Sequence, residues 1–265
     1  MSDPEVIELS DEAAVIYERD FVPLLFGEWG PKLADAAKVC PGDRVLDVGC
    51  GTGVFAREAA ARVGPEGQVV GIDLNESMLA VARRMQPEVD WRLGDATMLP
   101  FDDEAFDVVG SQFVLMFIAD RIGFVKEMWR TVAPQGRLSV AVWMAFEDAP
   151  HDVALAEIGG RLIGPDAAKA FEAPYVLGDP DELLDIFHQA GLDTAELQSV
   201  DGNCKAESIE EMLRIWVKGW VLAGIDDEVY VELLSEFKEQ FQKHCAPDGS
   251  ISLPMSAHIV TVVKR

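Results

Sequence analysis

Short β-rich runs alternate with segments of helical periodicity between residues 44 and 143, and this alternation constrains the fold more than any other feature. Helical patterns cover residues 54–62, 76–86 and 121–132. The β-rich runs lie at residues 44–48, 68–72, 89–93, 106–111 and 137–143. Because strand–helix–strand units bring their strands side by side in one direction, the pattern predicts a parallel sheet. We therefore expect an α/β, Rossmann-like, doubly wound fold.

The rest of the chain extends this core. We predict N-terminal helices over residues 1–40, followed by a core at 41–143 that carries the ligand site. Helical stripes and irregular stretches at residues 144–178 and 204–252 are expected to form cap insertions over the carboxyl edge of the sheet. The last strands are predicted at residues 193–200 and 257–263. Since no internal repeat or linker is present, we predict one domain over residues 1–265.

The balance of charge restricts the partners. The chain has 22 Lys and Arg against 47 Asp and Glu, which gives a formal net charge of −25. A field of that sign repels phosphate backbones, so we expect no nucleic-acid partner. The start of the chain lacks the basic and apolar segments of a targeting signal, and no apolar run approaches the length of a membrane span. The protein is therefore predicted to be cytoplasmic.

A glycine-rich turn follows the first predicted strand. In the sequence VLDVGCGTG at residues 45–53, Gly49, Gly51 and Gly53 stand between that strand and the next helix. Glycine permits a sharp bend and a close approach of the backbone to a ligand, because it has no Cβ. The strand before and the helix after the turn are the context that such a ligand site requires. Cys50, inside the turn, is interpreted as a small loop residue and not as a nucleophile.

Acidic residues accompany the ends of three predicted strands. Asp47 lies in the first strand, Asp73 ends the second and Asp95 follows the third. The carboxyl ends of parallel strands share one edge of an open sheet, and ligands bind in the crevice there. A carboxylate in the position of Asp73 can accept hydrogen bonds from both hydroxyls of a ribose. The sequence therefore predicts a nucleoside-binding site at this edge.

With these motifs the sequence resembles the class I S-adenosylmethionine-dependent methyltransferases, in particular the group similar to the ubiquinone and menaquinone C-methyltransferases. The matching segments are VLDVGCGTG at 45–53, GIDLNESML at 71–79, GDATMLPFDDEAFDVV at 94–109 and EMWRTVAPQGRLSVAVW at 127–143. As a set they are specific for the fold and the cofactor, and much less so for the substrate. The fold expected is then a seven-stranded sheet, mostly parallel with an antiparallel last strand, and the expected cofactor is S-adenosylmethionine.

The resemblance implies roles for the residues of the first motif. The loop beneath the methionine part of the cofactor would consist of Gly49, Cys50, Gly51 and Gly53. Asp47 would help to hold the ammonium group of the cofactor. These roles follow from the family likeness and not from the spacing of the glycines.

Further roles are implied at the second and third motifs. Asp73 would bind the ribose hydroxyls, while Leu74 and Met78 would lie against the adenosine. Asp95 would accept a hydrogen bond from the adenine amino group, and the backbone of Ala96 would meet the ring. The adenosine would thus lie across the ends of the second and third strands.

Three more residues are implied to contact the cofactor. Ser111 and Gln112, at the end of the fourth predicted strand, would lie beside the methionine and the reactive sulfonium. Tyr17 resembles a lid aromatic that closes over the cofactor, although its place on a helical face would equally suit a core residue.

The acceptor and the catalytic groups are less explicit in the sequence. Phe113, Trp143 and Trp216 are expected to line a pocket for a small, partly apolar acceptor, and the alternative is that they are core residues. His151 is the best candidate for a general base, and the alternative is a polar loop histidine. Whether O, N, S or C is methylated stays open. The scattered cysteines predict no metal site.

Three other functions fit the sequence less well. An NAD-dependent oxidoreductase would have glycines at the first, third and sixth positions of the loop, but the sixth position from Gly49 is Val54. A non-catalytic scaffold with this fold would be expected to lose the glycines or Asp73, and the chain keeps both. A methyltransferase acting on nucleic-acid amino groups would resemble its family in a paired-proline segment, where this chain has SQFV at residues 111–114.

Overall fold

The computed structural model describes residues 10–222 and 224–265. The strands in this part of the chain are β1 (Arg44–Val48), β2 (Gln68–Asp73), β3 (Asp90–Leu93), β4 (Phe106–Gln112), β5 (Val132–Trp143), β6 (Glu196–Val200), β7 (Asn203–Ala206), β8 (Ile251–Pro254) and β9 (Ala257–Val263). The helices are α1 (Asp11–Ile16), α2 (Trp29–Ala36), α3 (Val54–Val63), α4 (Glu76–Met85), α5 (Arg121–Thr131), α6 (Pro150–Leu162), α7 (Pro165–Glu172), α8 (Pro180–Gln189), α9 (Ile209–Leu213) and α10 (Asp227–Phe241). Two π-helical segments, Tyr17–Phe26 and Arg214–Val221, continue α1 and α9.

Seven of these strands form one sheet in the order β3-β2-β1-β4-β5-β9-β6. β1 pairs in parallel with β2 and β4, whereas β9 runs antiparallel to β5 and β6. The structure confirms the predicted Rossmann-like sheet, mostly parallel with an antiparallel last strand. The order of the strands reverses between β1 and β4, since β2 and β3 follow on one side and β5 on the other. Such a switch point leaves a ligand crevice at the carboxyl ends of its strands.

The central strands have near-continuous apolar surfaces. Val45, Leu46 and Val48 of β1 are completely buried, as strands are when a parallel sheet is covered by helices. Trp29 of α2 and Phe55 of α3 belong to the same core, and these two helices pack against each other. This packing fixes where β1 ends and where the turn after it begins.

The cap segments differ in part from the prediction. Residues 144–178 contain α6 and α7, but residues 204–252 begin and end in a two-stranded antiparallel sheet, in which Cys204 lies opposite Leu253. A helical cap segment was predicted there, but its two ends are strands, and the side chains of β8 alternate between buried and exposed with the period of a strand. Four-residue strands are too short for this period to stand out beside a long helical pattern. α6 packs against α10 and so joins the two cap segments.

Some element boundaries also differ. β5 begins at Val132 and not at 137, since Phe106 pairs with Val132 and Val108 with Arg137 across a bulge. Pro134, which lacks the N–H that a regular ladder needs, lies within this bulge. The N-terminal helices occupy residues from 11 onward, and residues 1–9 of the predicted segment lie outside the described residues.

Within residues 10–222 and 224–265, no helix has the length and apolar character needed to cross a membrane.

Candidate functional site

A cavity of about 340 Å³ opens at the switch point of the sheet. Its walls come from the turn after β1, the end of β2, the residues after β4, the end of β5, the first π-helical segment and the cap. Ligand sites in proteins have volumes of this order and are concave and mostly apolar, with a few polar groups. The cavity therefore lies where the strand-end motifs predicted a ligand site.

The glycine turn presents its backbone to the cavity. Gly49, Gly51 and Gly53 all have positive φ angles, of 70°, 52° and 89°. A Cβ on Gly49 would meet the side chain of Val114 at 2.6 Å, and one on Gly53 would meet Trp91 at 2.3 Å. A Cβ on Gly51 would meet no atom within 4 Å, and Gly51 itself lines the cavity. Gly49 and Gly53 are thus required by packing, whereas the space beside Gly51 is free for a ligand.

Asp47 supplies a buried carboxylate to this cavity. It is 1% exposed, and its Oδ2 accepts a hydrogen bond from the backbone N–H of Ala56 at 3.0 Å. Its Oδ1 has no hydrogen-bond partner among the described residues. Burial raises the pKa of Asp47 to about 7, the Ala56 N–H lowers it, and the nearby charge of Asp73 raises it further. A buried carboxylate oxygen without a partner is costly, and a bound cationic group would satisfy it.

Asp73 stands at the end of β2 and is held by backbone donors. Its Oδ2 accepts from the N–H of Gly51 at 2.8 Å, and its Oδ1 accepts from the N–H of Asn75 at 2.9 Å. Each carboxylate oxygen can accept a second hydrogen bond, so hydroxyl donors can add to this arrangement. Burial raises the pKa of Asp73, and the N–H groups of Asn75 and Gly51 counteract the rise. Asp73 therefore joins the glycine turn to β2 and faces the cavity.

Apolar side chains surround these polar groups. Met78, on α4, and Leu74 line the cavity, and Leu74 is 51% exposed. Tyr17 also lines it and packs against the cluster that contains Met78. Its ring stacks on Phe26 with the ring centroids 5.4 Å apart. The geometry brings Tyr17, Met78 and Leu74 together with Asp47 and Asp73, as the resemblance implied.

Several predicted cofactor residues do not line the cavity. Asp95 is exposed, and its Oδ1 accepts from the backbone and the hydroxyl of Thr97. Ala96 is buried behind it. Ser111 is also buried and donates its hydroxyl to the carbonyl of Val48, so it holds β4 against β1. Cys50 and Gln112 do line the cavity, and burial raises the pKa of the Cys50 thiol well above its usual range, which suits a neutral loop residue.

His151, the proposed general base, lies within α6 and is 1% exposed. It is not part of the cavity wall. Its two ring nitrogens have no hydrogen-bond partner among the described residues, and its Nε2 is 3.9 Å from Oδ2 of Asp152. Burial lowers the pKa of His151, and the charge of Asp152 opposes this. His151 is therefore a buried helix residue outside the set that lines the cavity.

The predicted acceptor residues do meet at the cavity. Phe113 and Trp143 stack with their ring centroids 3.7 Å apart and an interplanar angle of 12°, and Trp216 is a further wall residue. Phe113 has a positive φ of 58°, an uncommon conformation for a bulky residue that turns the chain sharply after β4. All three are at most 6% exposed, so they belong both to the cavity wall and to the hydrophobic core.

Sequence reasoning missed other aromatic wall residues. Phe21 and Phe26 come from the first π-helical segment, and Phe117, which is 59% exposed, follows β4. Phe21 and Phe26 are five residues apart, the spacing of hydrogen-bonded residues in a π-helix. A search for helical stripes at spacings of three and four does not join them. Their spacing is the one signal in the sequence that could have shown that both face the cavity.

Comparison with known proteins gives a consistent result. The family model described as a methyltransferase domain matches residues 46–140. The chain is 36% identical to the demethylmenaquinone methyltransferase of Lactobacillus johnsonii over 42% of this chain and 48% of that protein. It is also 36% identical to the ubiquinone/menaquinone biosynthesis C-methyltransferase of Cupriavidus pinatubonensis, over 60% of this chain and 71% of the relative. The chain thus spans about half the length of the first relative and more than two thirds of the second.

A solved structure shares the fold across nearly the whole chain. It is phosphoethanolamine N-methyltransferase 2 of Haemonchus contortus, solved in complex with S-adenosyl-L-methionine. The two superpose with a TM-score of 0.63 at 21% identity, covering 98% of this chain and 58% of the other. At this identity the likeness concerns the fold alone.

Proposed function

Since the chain belongs to the methyltransferase family that includes these relatives, we propose that it transfers a methyl group from S-adenosylmethionine to a small, planar, partly apolar acceptor of the quinol type. The proposal rests on one observation. The cavity brings together Oδ1 of the buried Asp47, which has no hydrogen-bond partner among the described residues, and the open space beside Gly51. The first fits an ammonium group, and the second fits the backbone approach of a ligand. Neither an NAD-dependent oxidoreductase nor a non-catalytic scaffold gains support from the family match.

The chain's own residues supply binding and orientation. Asp47 would hold the ammonium of the cofactor and Asp73 the ribose hydroxyls, while Tyr17 and Met78 enclose the adenosine. When bound, S-adenosylmethionine supplies a methyl group on a sulfonium that is already activated for displacement. Because the donor is activated, holding the acceptor in line and excluding water can provide much of the rate.

The acceptor class is argued from the aromatic wall. Phe26, Phe113 and Trp143 form a contiguous set of rings, with centroids 3.7 to 6.1 Å apart. Such a surface favours a flat ring by stacking. Among the described wall residues, the ionisable side chains are Tyr17, Asp47, Cys50 and Asp73, and none of them is cationic. A neutral, electron-rich ring is therefore the acceptor that suits the site, and the names of the relatives point to quinols.

The cellular setting is part of the same proposal. All four cysteines are free, and two of them, Cys50 and Cys204, are buried. Free cysteines persist where thiols are kept reduced, which supports a cytoplasmic location and a small-molecule acceptor found there.

A turnover assay tests the proposal. The purified protein is incubated with S-adenosylmethionine carrying a deuterated methyl group and with 1,4-naphthoquinol kept reduced by dithionite. We expect mass spectrometry to detect 2-methyl-1,4-naphthoquinol with the deuterated methyl, S-adenosylhomocysteine in equal amount, and one proton released from the ring carbon. The Asp73→Ala variant is the matched control for the background reaction. If cofactor binds but no naphthoquinol is methylated, the acceptor class is wrong. If no cofactor binds, the whole proposal is wrong.

A further inference from the structure

A buried carboxylate joins three parts of the cap directly behind the cavity wall. Asp152, on α6, is completely buried. Its Oδ2 accepts a hydrogen bond from the hydroxyl of Tyr175, and its Oδ1 accepts one from the indole Nε1–H of Trp216 at 2.6 Å. Tyr175 lies between α7 and α8, and Trp216 lies in the π-helical segment Arg214–Val221. One side chain therefore connects segments that are distant in the sequence.

Two of these connected segments contribute to the cavity itself. Trp216 lines it with its indole ring, and Pro174, next to Tyr175, lines it as well. The ring of Trp216 also meets that of Phe21, with the centroids 6.4 Å apart. The hydrogen bond from its Nε1–H to Asp152 therefore anchors a residue that lines the cavity.

We propose that Asp152 is a positioning residue, which fixes the indole of Trp216 in one orientation as the wall against which the acceptor ring is placed. This inference rests on the proposed methyl transfer to a planar acceptor. A buried carboxylate is costly to desolvate and is weak evidence for stability alone. Its two oxygens accept hydrogen bonds from the Tyr175 hydroxyl and the Trp216 indole N–H, two buried donors that would otherwise lack an acceptor. Fixed orientation of the wall residue is what the arrangement provides.

The placement of the acceptor ring should depend on this wall. A planar acceptor stacked between mobile rings adopts several poses, and few of them align the reacting carbon with the methyl group. A single orientation of Trp216 removes the unproductive poses. Loss of the anchor is therefore expected to impair acceptor use and to leave the Asp47 and Asp73 side of the cavity unchanged.

Two substitutions at Asp152 separate positioning from burial. In Asp152→Asn the amide oxygen can still accept from the indole N–H, and the amide NH₂ can donate to the Tyr175 hydroxyl, which is able to accept. Asp152→Leu keeps the branched shape of the side chain, with methyl groups in place of the oxygens, and neither hydrogen bond can form. Ser139→Ala, which removes a buried hydrogen bond to Thr261 away from the cavity, serves as a control for loss of stability.

Kinetics with 1,4-naphthoquinol and calorimetry with S-adenosylhomocysteine give the decisive comparison. For Asp152→Leu and Trp216→Phe we expect kcat/KM for the quinol to fall at least tenfold, roughly the loss that misplacement of a reactant causes. The Kd for S-adenosylhomocysteine should change less than about twofold, and Asp152→Asn should stay within about threefold of the wild type in kcat/KM. Ser139→Ala should lose stability without a change in kcat/KM. Equal losses in the Asn and Leu variants, or unchanged kcat/KM in the folded Leu variant, would overturn the proposal.

A spectroscopic measurement keeps this inference separate from the proposed function. The indole N–H resonance of Trp216, assigned by its loss in Trp216→Phe, should exchange slowly with solvent in the wild type and in Asp152→Asn, and quickly in Asp152→Leu. If the wild type does not methylate the quinol, the acceptor class fails, and the resonance still decides whether Asp152 fixes the indole. Fast exchange in the wild type would overturn the positioning role whatever the turnover.

Discussion

Asp47 joins full burial to an open hydrogen-bonding position, and this makes its protonation depend on the ligand. Burial raises its pKa to about 7, from the ordinary value of 3.8. Its protonated form is favoured in the ligand-free fold, whereas an ammonium group near Oδ1 favours the ionised form. Folding therefore favours the protonated carboxyl group of Asp47, whereas binding of a cationic ligand favours the carboxylate.

The sign of the pH dependence follows from that pKa. A raised folded-state pKa adds stability that is complete below the unfolded pKa and is lost as the pH rises through about 7. Relative to Asp47→Asn, the ligand-free wild type should thus lose thermal stability between about pH 4 and pH 7. The affinity for S-adenosylmethionine should rise over the same interval. Melting curves and calorimetry at both ends of the interval measure the two trends, and parallel changes in the wild type and the Asn variant would contradict them.

Asp73 carries the second residue-scale prediction. Replacement of Asp73 by Ala removes acceptors for two hydroxyl donors, so the affinity for S-adenosylmethionine should fall by about 1.5–3 kcal/mol. Calorimetric titration of the folded variant measures this loss. The exposed Asp193 offers a control of equal charge, and Asp193→Ala should bind as the wild type does. An unchanged dissociation constant in Asp73→Ala would remove the ribose assignment.

The glycine turn is the element on which the cofactor site depends. Gly51 has a φ of 52° and open space at its Cβ position, and Gly42, in an earlier turn, has a φ of 87° and equally open space. Alanine at either position meets the same backbone strain of about 1–2 kcal/mol. Only Gly51 lines the cavity. The two positions therefore separate backbone strain from obstruction of the ligand.

We predict that Gly51→Ala and Gly42→Ala lose similar stability, but that only Gly51→Ala loses cofactor affinity, by tenfold or more, because its methyl group takes ligand space. Thermal melts and calorimetry on both variants test this. Normal binding by Gly51→Ala would mean that the turn does not touch the ligand.

At this scale the sequence predicted some elements well and others poorly. The strands, the glycine turn and Asp47 and Asp73 could be located because strand ends in a parallel sheet share an edge. Asp95 follows the edge strand β3, two strands away from β1, and does not line the cavity, so its assignment to the adenine stays a prediction. The role of His151 also stays a prediction, and the residue lies in α6 outside the cavity wall. Sequence cannot tell which side of α6 faces the cavity when both sides are buried.

The whole molecule places an acidic, aromatic-lined cavity beneath a cap assembled from distant segments. The cap could not be predicted in detail, because its contacts, such as those of Asp152 with Tyr175 and Trp216, join residues separated by 23 and 64 positions. Contacts between residues so far apart in the sequence produce no local periodic pattern from which they could be predicted. The sheet, in contrast, follows from patterns that repeat over short distances.

Whether the cavity is built for S-adenosylmethionine can be decided by one calorimetric series. The wild-type protein is titrated separately with S-adenosylmethionine, S-adenosylhomocysteine and NAD under identical conditions. We predict micromolar binding of the first two at a stoichiometry of one and no heat of binding with NAD. Binding of NAD, or the absence of binding by both adenosyl ligands in a folded protein, would contradict the account.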